Sequence, residues 1–271
     1  MRKLSIITVC YEAADDLRKT MDSVLSQTSY DFEYLIQDGG STDSTQETIA
    51  EYRPYFFDRG IPLSFFTEKD QGIYDAMNKA ASQATGEWLL YMNAGDTFAA
   101  TEVLAQIWRQ DIPAEAVILY GDTIELEADG DYLWHSELKE LDIRCSLCHQ
   151  SVLIRASWMR ETPYDLRYRI GADYDFFLKT RAAGKLFFPV NLIIARITKD
   201  GYSNRNEKQR VLETEEIKEN YGFSNRHSWN YRWICVQAEV KQWIIDYLPP
   251  SAVRRLRQMR RKMRKRGQKI E

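Results

Sequence analysis

Long apolar runs are absent from this sequence of 271 residues, and cysteine is scarce. A membrane-spanning helix needs about 20 consecutive apolar residues, so no spanning segment is predicted. The four cysteines, Cys10, Cys145, Cys148 and Cys235, are too few and too scattered for a disulfide scaffold, and no second cysteine pair could complete a zinc site. The short apolar part of residues 1–10 has no cleavage-like site, so we expect a first strand, not a signal peptide, and a cytoplasmic protein.

Glycine-rich phosphate-binding loops are absent as well. The first apolar run, Leu4 to Cys10, continues into Tyr11-Glu12-Ala13-Ala14 instead of G-x-G-x-x-G, and no Walker A sequence occurs. These absences exclude a dinucleotide-binding Rossmann domain and a P-loop protein. A nucleotide would have to be held by side chains and a metal ion.

The charge is unevenly distributed along a chain whose composition, 44% hydrophobic and 28% charged, is typical of a globular protein. The formal charge is −3, but residues 251–270 contain ten basic residues and no acidic one. Without these ten and Glu271, residues 1–250 contain 27 basic and 39 acidic residues, a formal charge of −12. An acidic body therefore precedes a basic segment.

Strand-like and helix-like stretches alternate in the first half, with short connections between them. Strands are predicted at residues 4–10, 32–37, 62–67 and 88–92, and helices at 13–27, after Ser41-Thr42-Asp43, and at 74–84. This alternation predicts an α/β fold whose open, mostly parallel sheet is flanked by helices.

The second half has a less regular pattern. We predict strands at residues 117–120, 151–154 and 186–197, a hairpin of 123–126 with 132–136, and helices at 173–183, 207–221 and 229–247. The predicted domains are residues 1–222, in two halves (1–116 and 117–222), and an aromatic and basic helical extension, 223–271.

Three aspartates follow successive predicted strands. Asp38, Asp70 and Asp96 each stand at a strand's carboxyl end, where open α/β sheets bind ligands. Converging carboxylates repel each other, so such a cluster indicates a metal or another ligand. The alternatives are ordinary turn aspartates and, for Asp96, a helix N-cap.

Four sequence blocks in the first hundred residues resemble the family 2 glycosyltransferases, which have the nucleotide-diphospho-sugar transferase (GT-A) fold. The blocks are 5–11 (SIITVCY), 37–43 (QDGGSTD), 68–79 (EKDQGIYDAMNK) and 86–96 (GEWLLYMNAGD). The likeness is to bacterial polysaccharide enzymes of the colanic-acid-cluster type. Beyond Val117 it thins to Cys148-His-Gln150, Ala172-Asp-Tyr-Asp175 and Gly201-Tyr-Ser203. The resemblance implies that residues 1–222 are the catalytic domain, with a nucleotide-sugar-binding half (1–116) and an acceptor half (117–222).

The resemblance implies a set of nucleotide-sugar-binding residues: Val9, Tyr11, Glu12, Asp38, Lys69, Asp70, Asn93, Gly95 and Asp96. It places Tyr11 near the base, Asp38 on the uracil ring, and Lys69 and Asp70 near the ribose or diphosphate. Asp96 would bind Mn²⁺ or Mg²⁺. Glu12 departs from the family's usual Asn, and Gly95 from its usual Asp.

The resemblance also implies an inverting transfer with a carboxylate base. Asp173 is the candidate and Asp175 its competitor; two residues apart on a helix, they point to different faces. Helix-start electrostatics is the alternative for either. His149 and Gln150 would lie on the acceptor or diphosphate side, and a structural loop histidine is the alternative.

The basic segment has apolar residues at helical spacing: Val253, Leu256, Met259 and Met263. This pattern predicts an amphipathic helix on an anionic membrane surface. Folding back onto the acidic body is the second interpretation; nucleic-acid binding comes last and is not expected.

The resulting prediction is a metal-dependent inverting glycosyltransferase of hexosyltransferase type, peripheral at the inner face of the cell membrane. It would transfer a sugar from a nucleotide-sugar, expected to be a UDP-sugar, to a saccharide or lipid-linked acceptor in cell-surface polysaccharide synthesis. The alternatives are a catalytically impaired nucleotide-sugar-binding protein at the membrane and a sugar nucleotidyltransferase.

Overall fold

The structure, a computed structural model, describes residues 3–127, 130–198, 206–224, 229–248 and 252. The amphipathic helix predicted within 251–270, including Val253 to Met263, and the Gly201-Tyr-Ser203 block lie outside the described residues.

Nine strands form one sheet within the described residues. They are β1 (Leu4–Cys10), β2 (Phe32–Asp38), β3 (Leu63–Thr67), β4 (Trp88–Tyr91), β5 (Thr97–Phe98), β6 (Ala116–Glu127), β7 (Gly130–Trp134), β8 (Val152–Arg155) and β9 (Leu186–Thr198). Their order is β3-β2-β1-β4-β8-β6-β9-β5, and β7 pairs with β6.

Helices connect and cover these strands. They are α1 (Ala14–Leu25), α2 (Thr45–Asp58), α3 (Ile73–Gln83), α4 (Val103–Trp108), α5 (Ala156–Glu161), α6 (Ala172–Ala182), α7 (Glu207–Asn220) and α8 (Trp229–Tyr247). Short 3-10 turns occupy Leu138–Glu140 and His149–Ser151. None of the described helices combines the length and hydropathy needed to cross a bilayer.

The parallel part of the sheet brings the carboxyl ends of the first strands to one edge. β1 pairs in parallel with β2 and β4, and β2 with β3, so that Cys10 lies opposite Asp38, and Asp38 opposite Thr67. The residues of β1 and β2 are buried throughout, as expected for strands covered on both faces. The loops after these strands therefore lie side by side.

Two apolar clusters cover the two faces of the sheet. Because side chains alternate along a strand, Ile7 joins one cluster with α3 and α6 residues, and Ile6 joins the other with α1, α2 and α4 residues. The helix-flanked α/β fold predicted from the sequence is confirmed. Its parallel character is confined to β3-β2-β1-β4 and to β6 with β9, because β8 runs antiparallel to both β4 and β6.

Three local predictions need correction. The strand at 117–120 and the first hairpin strand are one continuous strand, β6; Gly121 allows it to approach β9, because a Cβ there would lie 2.5 Å from the Leu192 carbonyl oxygen. The helix expected to open at Ser41 begins at Thr45, whose N–H donates to Asp43. Asp96 is not a helix N-cap, because β5 follows it directly and α4 begins only at Val103.

Candidate functional site

Tyr11, Gly39 and Asp70 meet where β1, β2 and β3 end. A Cβ atom on Gly39 would lie 2.6 Å from Asp70 Oδ2 and 3.3 Å from Tyr11 Cδ2, so a side chain there would displace both residues. Asp70 Oδ1 accepts a hydrogen bond of 2.9 Å from the Gly72 N–H. The Tyr11 side chain is 64% exposed. An exposed aromatic ring can stack on a nucleotide base, and a carboxylate beside it can accept a hydrogen bond from a ribose hydroxyl.

The Asp38 side chain is completely buried, and its carboxylate accepts hydrogen bonds from the loop that follows β2. The Ser41 N–H donates to both carboxylate oxygens, at 3.1 and 3.2 Å, and the Ser41 hydroxyl donates to Oδ1 at 2.5 Å. The carboxylate therefore shapes the loop after β2. Its hydrogen bond to a uracil ring stays a prediction.

Glu12 joins the loops after β1 and β2. Its Oε1 atom accepts from the Thr42 N–H at 2.8 Å and from the Thr42 hydroxyl at 3.0 Å, while its own N–H donates to Ser41 Oγ. Glu12 has a φ of 49°, in the left-handed region that Asn occupies at lower cost than Glu. Through these contacts Glu12 holds the two loops together. Its place in the nucleoside pocket stays a prediction.

Val9 and Lys69 have contrasting surroundings. Val9 packs in the apolar cluster that contains α3, and its side chain is buried. Lys69 is exposed, its carbonyl oxygen accepts from Lys79 Nζ at 2.9 Å, and its Cγ lies 3.5 Å from an ideal Cβ on Gly40. The assignment of both residues to the nucleotide site stays a prediction. Of the two residues, Lys69 is exposed, whereas the Val9 side chain is buried.

Asp96 is a buried carboxylate held by an amide from the 3-10 turn before β8. Gln150 Nε2 donates to Asp96 Oδ2 at 2.9 Å, and Cys148 Sγ donates to Gln150 Oε1 at 2.9 Å. The thiol therefore orients the amide so that its nitrogen faces the carboxylate. Burial raises the pKa of the Asp96 carboxyl to about 6, and the hydrogen bond from Gln150 only partly opposes this shift.

His149 bridges the turn after β4 and the start of α6. Its Nε2 atom lies 3.1 Å from Asn93 Nδ2, and its Nδ1 atom lies 3.1 Å from Asp173 Oδ2. Because an amide nitrogen only donates, Nε2 accepts in this arrangement and the ring proton is assigned to Nδ1, which donates to Asp173. The structure thus brings Asn93, His149 and Asp173 into one hydrogen-bonded chain.

The competing aspartate has a different environment. Asp175 is buried and accepts a hydrogen bond of 3.1 Å from the Tyr221 hydroxyl. Burial raises the pKa of its carboxyl. Asp175 therefore faces the C-terminal part of the chain, whereas Asp173 faces His149.

The turn that carries Asp96 is held by Thr20 of α1. The Thr20 hydroxyl donates to the Asp96 carbonyl oxygen at 2.8 Å and accepts from the Gly95 N–H at 3.0 Å. Gly95 has a φ of 95°, which disfavours the family's usual Asp in this turn. In the same turn, Asn93 Oδ1 is buried and has no hydrogen-bond partner among the described residues.

This turn fits a hard divalent cation with few protein ligands. Within the described residues, no group of three or more His, Cys, Asp or Glu side chains could hold a metal. Asp96 supplies a carboxylate, and Asn93 Oδ1, in the same turn, is an amide oxygen without a hydrogen-bond partner among the described residues. Such a donor set suits Mg²⁺ or Mn²⁺, which retain waters and bind substrate phosphates.

The sequence predicted no role for Tyr74, Thr20 or Glu213, and it indicated Cys148 only as a residue of the block Cys148-His-Gln150. Tyr74 lies in the block 68–79, at the start of the predicted helix 74–84. Its hydroxyl lies 2.6 Å from the Ile170 carbonyl oxygen and 3.0 Å from Asp173 Oδ1. No local signal identifies Thr20 or Glu213, because both act on segments distant in the sequence.

Comparison with known proteins agrees with this arrangement. Residues 5–160 match the profile described as Glycosyl transferase family 2. This match covers more than half of the chain, so the protein belongs to glycosyltransferase family 2. Asp173 lies beyond the matched range.

A curated relative and two solved structures illustrate the similarity. The "PGL/p-HBAD biosynthesis glycosyltransferase" of Mycobacterium bovis (strain BCG / Pasteur 1173P2) is 35% identical over 179 residues, covering 65% of this chain and 68% of the relative. Mannosyltransferase PcManGT from Pyrobaculum calidifontis, in complex with GDP-Man and Mn²⁺, has a TM-score of 0.62 at 16% identity, covering 95% of this chain and 79% of that one.

The second structure is S. aureus TarS 1-349 in complex with UDP. It has a TM-score of 0.59 at 16% identity and covers 89% of this chain and 78% of that one. In another TarS crystal structure the chain spans 44% of the TarS length. Likeness at this identity shows the fold alone, which is the GT-A fold.

Proposed function

We propose that this glycosyltransferase is a metal-dependent, inverting enzyme of hexosyltransferase type that uses a nucleotide-sugar, a UDP-sugar in the first instance. Its acceptor would be a hydroxyl of a saccharide or lipid-linked saccharide in cell-surface polysaccharide synthesis. TarS bound to UDP and PcManGT bound to GDP-Man support a nucleotide donor. The predicted pairing of Asp38 with uracil favours UDP.

One observation carries the proposal: residues of the same 3-10 turn bind two carboxylates that have different surroundings. Asp96 is held by Gln150 and Asp173 by His149, and these two partners are adjacent in the 3-10 turn before β8. This turn fixes the position of one carboxylate relative to the other. An inverting transfer needs a base for the acceptor proton, and Asp173 offers a carboxylate for this role on the network that also holds Asp96.

The chemistry assigned to the chain is a single displacement. The acceptor oxygen bonds to the anomeric carbon as the bond from that carbon to the nucleoside diphosphate breaks, and Asp173 takes the acceptor proton. The Nδ1–H of His149 holds one oxygen of Asp173, and the Tyr174 N–H holds the other at 2.9 Å. These bonds fix the orientation of the carboxylate that would take the acceptor proton.

Asp96 is the residue that would hold a divalent ion. A bound Mn²⁺ or Mg²⁺ would neutralise the charge that develops on the leaving diphosphate. Asn93 Oδ1, which has no hydrogen-bond partner among the described residues, is a second oxygen donor in the same turn and supports this assignment. With one carboxylate ligand, the apo protein would bind the ion weakly, and nucleotide phosphates would complete the site.

The proposal includes a peripheral membrane location. On α8, the side chains of Trp233, Val236, Val240, Trp243 and Tyr247 are exposed and recur every three or four residues, so they share one face. Ala238, on the opposite side of this helix, is buried. Trp and Tyr favour the headgroup region of bilayers, and ten basic residues follow α8 in the sequence.

The function is tested by assaying the purified chain against UDP-sugars and GDP-sugars, with Mn²⁺, with Mg²⁺ and with EDTA. Thermal-shift measurements with the matching nucleoside diphosphates identify the base. We expect stabilisation by UDP that increases with Mn²⁺, and release of UDP from one UDP-sugar that EDTA abolishes. The product's anomeric configuration, read by NMR, reports inversion.

Each other outcome contradicts a defined part of the proposal. Binding without turnover for every donor and acceptor tried would support the catalytically impaired interpretation. Turnover in EDTA would remove the metal requirement, and a retained configuration would remove the assignment of Asp173 as base. Release of pyrophosphate from a nucleoside triphosphate would indicate a nucleotidyltransferase.

A further inference from the structure

Glu213 of α7 binds the backbone segment that leads into α6. Its carboxylate accepts three successive N–H groups: Arg169 to Oε1 at 3.1 Å, Ile170 to Oε2 at 2.8 Å and Gly171 to Oε2 at 3.0 Å. The Glu213 side chain is only 8% exposed. A buried carboxylate is therefore compensated by backbone donors from a segment more than 40 residues earlier in the sequence.

These donors lie immediately before the helix that carries Asp173. α6 begins at Ala172, and Gly171 is its N-cap residue, without a side chain to cap the helix. The first N–H groups of a helix lack intrahelical partners, and negative charge is favoured at this end of the helix dipole. Glu213 supplies from α7 the capping carboxylate that the local sequence lacks.

The same segment is held from its other side by α3. The Tyr74 hydroxyl lies 2.6 Å from the Ile170 carbonyl oxygen, while the Ile170 N–H is bound by Glu213. Gly171 permits the close approach of α7, because a Cβ there would lie 2.8 Å from Ile217 Cδ1. Both backbone hydrogen-bonding groups of Ile170 are thus fixed, three residues before Asp173.

We propose that Glu213 is a positioning residue for catalysis: it fixes the start of α6 and thereby the distance of Asp173 from the acceptor hydroxyl. This inference rests on the proposed function, in which Asp173 takes the acceptor proton. Asp173 is the first residue after the helix-opening Ala172, so movement of residues 169–171 moves its carboxylate directly. A misplacement of about 1 Å can cost about 100-fold in rate.

The Glu213 carboxylate also has a hydrogen-bond partner on its own helix, Gln209. Gln209 Nε2 donates to Glu213 Oε1 at 2.8 Å, so this oxygen receives a donor from its own helix as well as the Arg169 N–H. In Glu213→Gln, an amide nitrogen replaces one of the two acceptor oxygens and faces N–H donors instead. The variant retains size and shape, and it loses acceptor capacity at the segment before α6.

The test measures steady-state transfer for Glu213→Gln, Asp173→Asn and the double variant in the full chain. We expect Glu213→Gln to lower kcat about 10- to 100-fold while the donor KM and the dissociation constant of UDP change less than about twofold. Glu213→Ala should lower kcat further. In the Asp173→Asn background, Glu213→Gln should change the residual rate by less than about twofold, because the group it positions is already gone.

Glu215→Gln is the matched control. Glu215 is a similarly buried glutamate on α7, at 6% exposure, and it pairs with Lys218 and Ser224, whereas the N–H groups of residues 169–171 donate to Glu213. We expect its kcat to stay within about twofold of wild type. Melting temperatures of both variants report any general loss of stability.

The outcomes separate the inference from the proposed function. Asp173→Asn with near-wild-type transfer would overturn the base assignment and the positioning role together. A Glu213→Gln variant with wild-type kcat, beside an inactive Asp173→Asn, would overturn the positioning role alone. Equal losses in Glu213→Gln and Glu215→Gln, or additive losses in the double variant, would also overturn it.

Discussion

His149 Nδ1 lies 3.1 Å from Asp173 Oδ2, although the two residues belong to different elements. The opposite ring nitrogen faces the Asn93 amide nitrogen, which assigns the ring proton to the Asp173 side. Asp173 therefore accepts an N–H hydrogen bond from the His149 ring.

Asp173→Asn should abolish sugar transfer without abolishing donor binding. The amide cannot take the acceptor proton, and general-base catalysis contributes about 100- to 10,000-fold in rate. Transfer assays and calorimetry with UDP measure the two properties separately. A variant that transfers sugar at near-wild-type rate would show that another group is the base.

Asn93→Asp should change the protonation of His149. A carboxylate in place of the amide can accept a hydrogen bond from an Nε2–H group, so the ring can carry protons on both nitrogens. Imidazole ¹⁵N chemical shifts should report the Nδ1–H form in wild type and the imidazolium in the variant near neutral pH. His135, which pairs with Asp122, is the internal reference. A wild-type Nε2–H form would contradict the assignment.

Asp175→Asn should preserve transfer and alter the pH dependence of stability. Burial raises the pKa of the Asp175 carboxyl in the folded chain, so its stabilising contribution is present below the unfolded pKa and is lost as pH rises through the folded pKa. The variant does not titrate there. We expect its melting temperature to gain relative to wild type as the pH rises above about 4, the ordinary pKa of an aspartate. A relative loss over this range would contradict the prediction.

Gly39→Ala should weaken nucleotide binding at little cost in folding stability. The added Cβ would displace the end of the Asp70 side chain, which lies 2.6 Å away and can rotate, and would press on the Tyr11 ring. We expect the dissociation constant of UDP to increase about tenfold, about 1.4 kcal/mol, with a small change in melting temperature. Unchanged UDP affinity would remove Tyr11 and Asp70 from the nucleotide site.

Trp233→Ser combined with Trp243→Ser should weaken membrane binding. Both indole rings lie on the exposed face of α8, and serine lacks the amphipathic ring that favours the headgroup region. With vesicles containing anionic phospholipid, we expect about tenfold weaker co-sedimentation. Tyr30→Ser, an exposed aromatic residue of the α1–β2 loop, is the control. Equal binding of the full chain and of a chain ending at Pro250 would remove the part assigned to the basic segment.

The first half of the fold could be predicted from local sequence. The apolar run Leu4 to Cys10, the helical spacing around Met21 and the apolar run from Trp88 each contain the periodicity of one element, and the structure has a strand or helix at each place. The parallel order then follows from short connections. Asp38, Asp70 and Asp96 accordingly end at one edge of the sheet.

Side-chain partners at that edge could not be predicted in the same way. Asp38, Asp70 and Asp96 have the same sequence context, an aspartate after a strand. The structure gives the first to Ser41, the second to the Gly72 N–H and the third to Gln150. The partner depends on which distant loop packs beside each strand end, and that loop is not specified by the strand.

By itself, the sequence determined the α/β alternation, the family and the pair Asp173 and Asp175 as candidate bases, because short-range periodicity and motif blocks are written in consecutive residues. Only the tertiary structure decided that Asp173 faces His149 and Asp175 faces Tyr221. It also decided that Glu213 caps the segment before α6. Two residues on one helix differ in rotation alone, and the packing of distant segments sets which face meets the site.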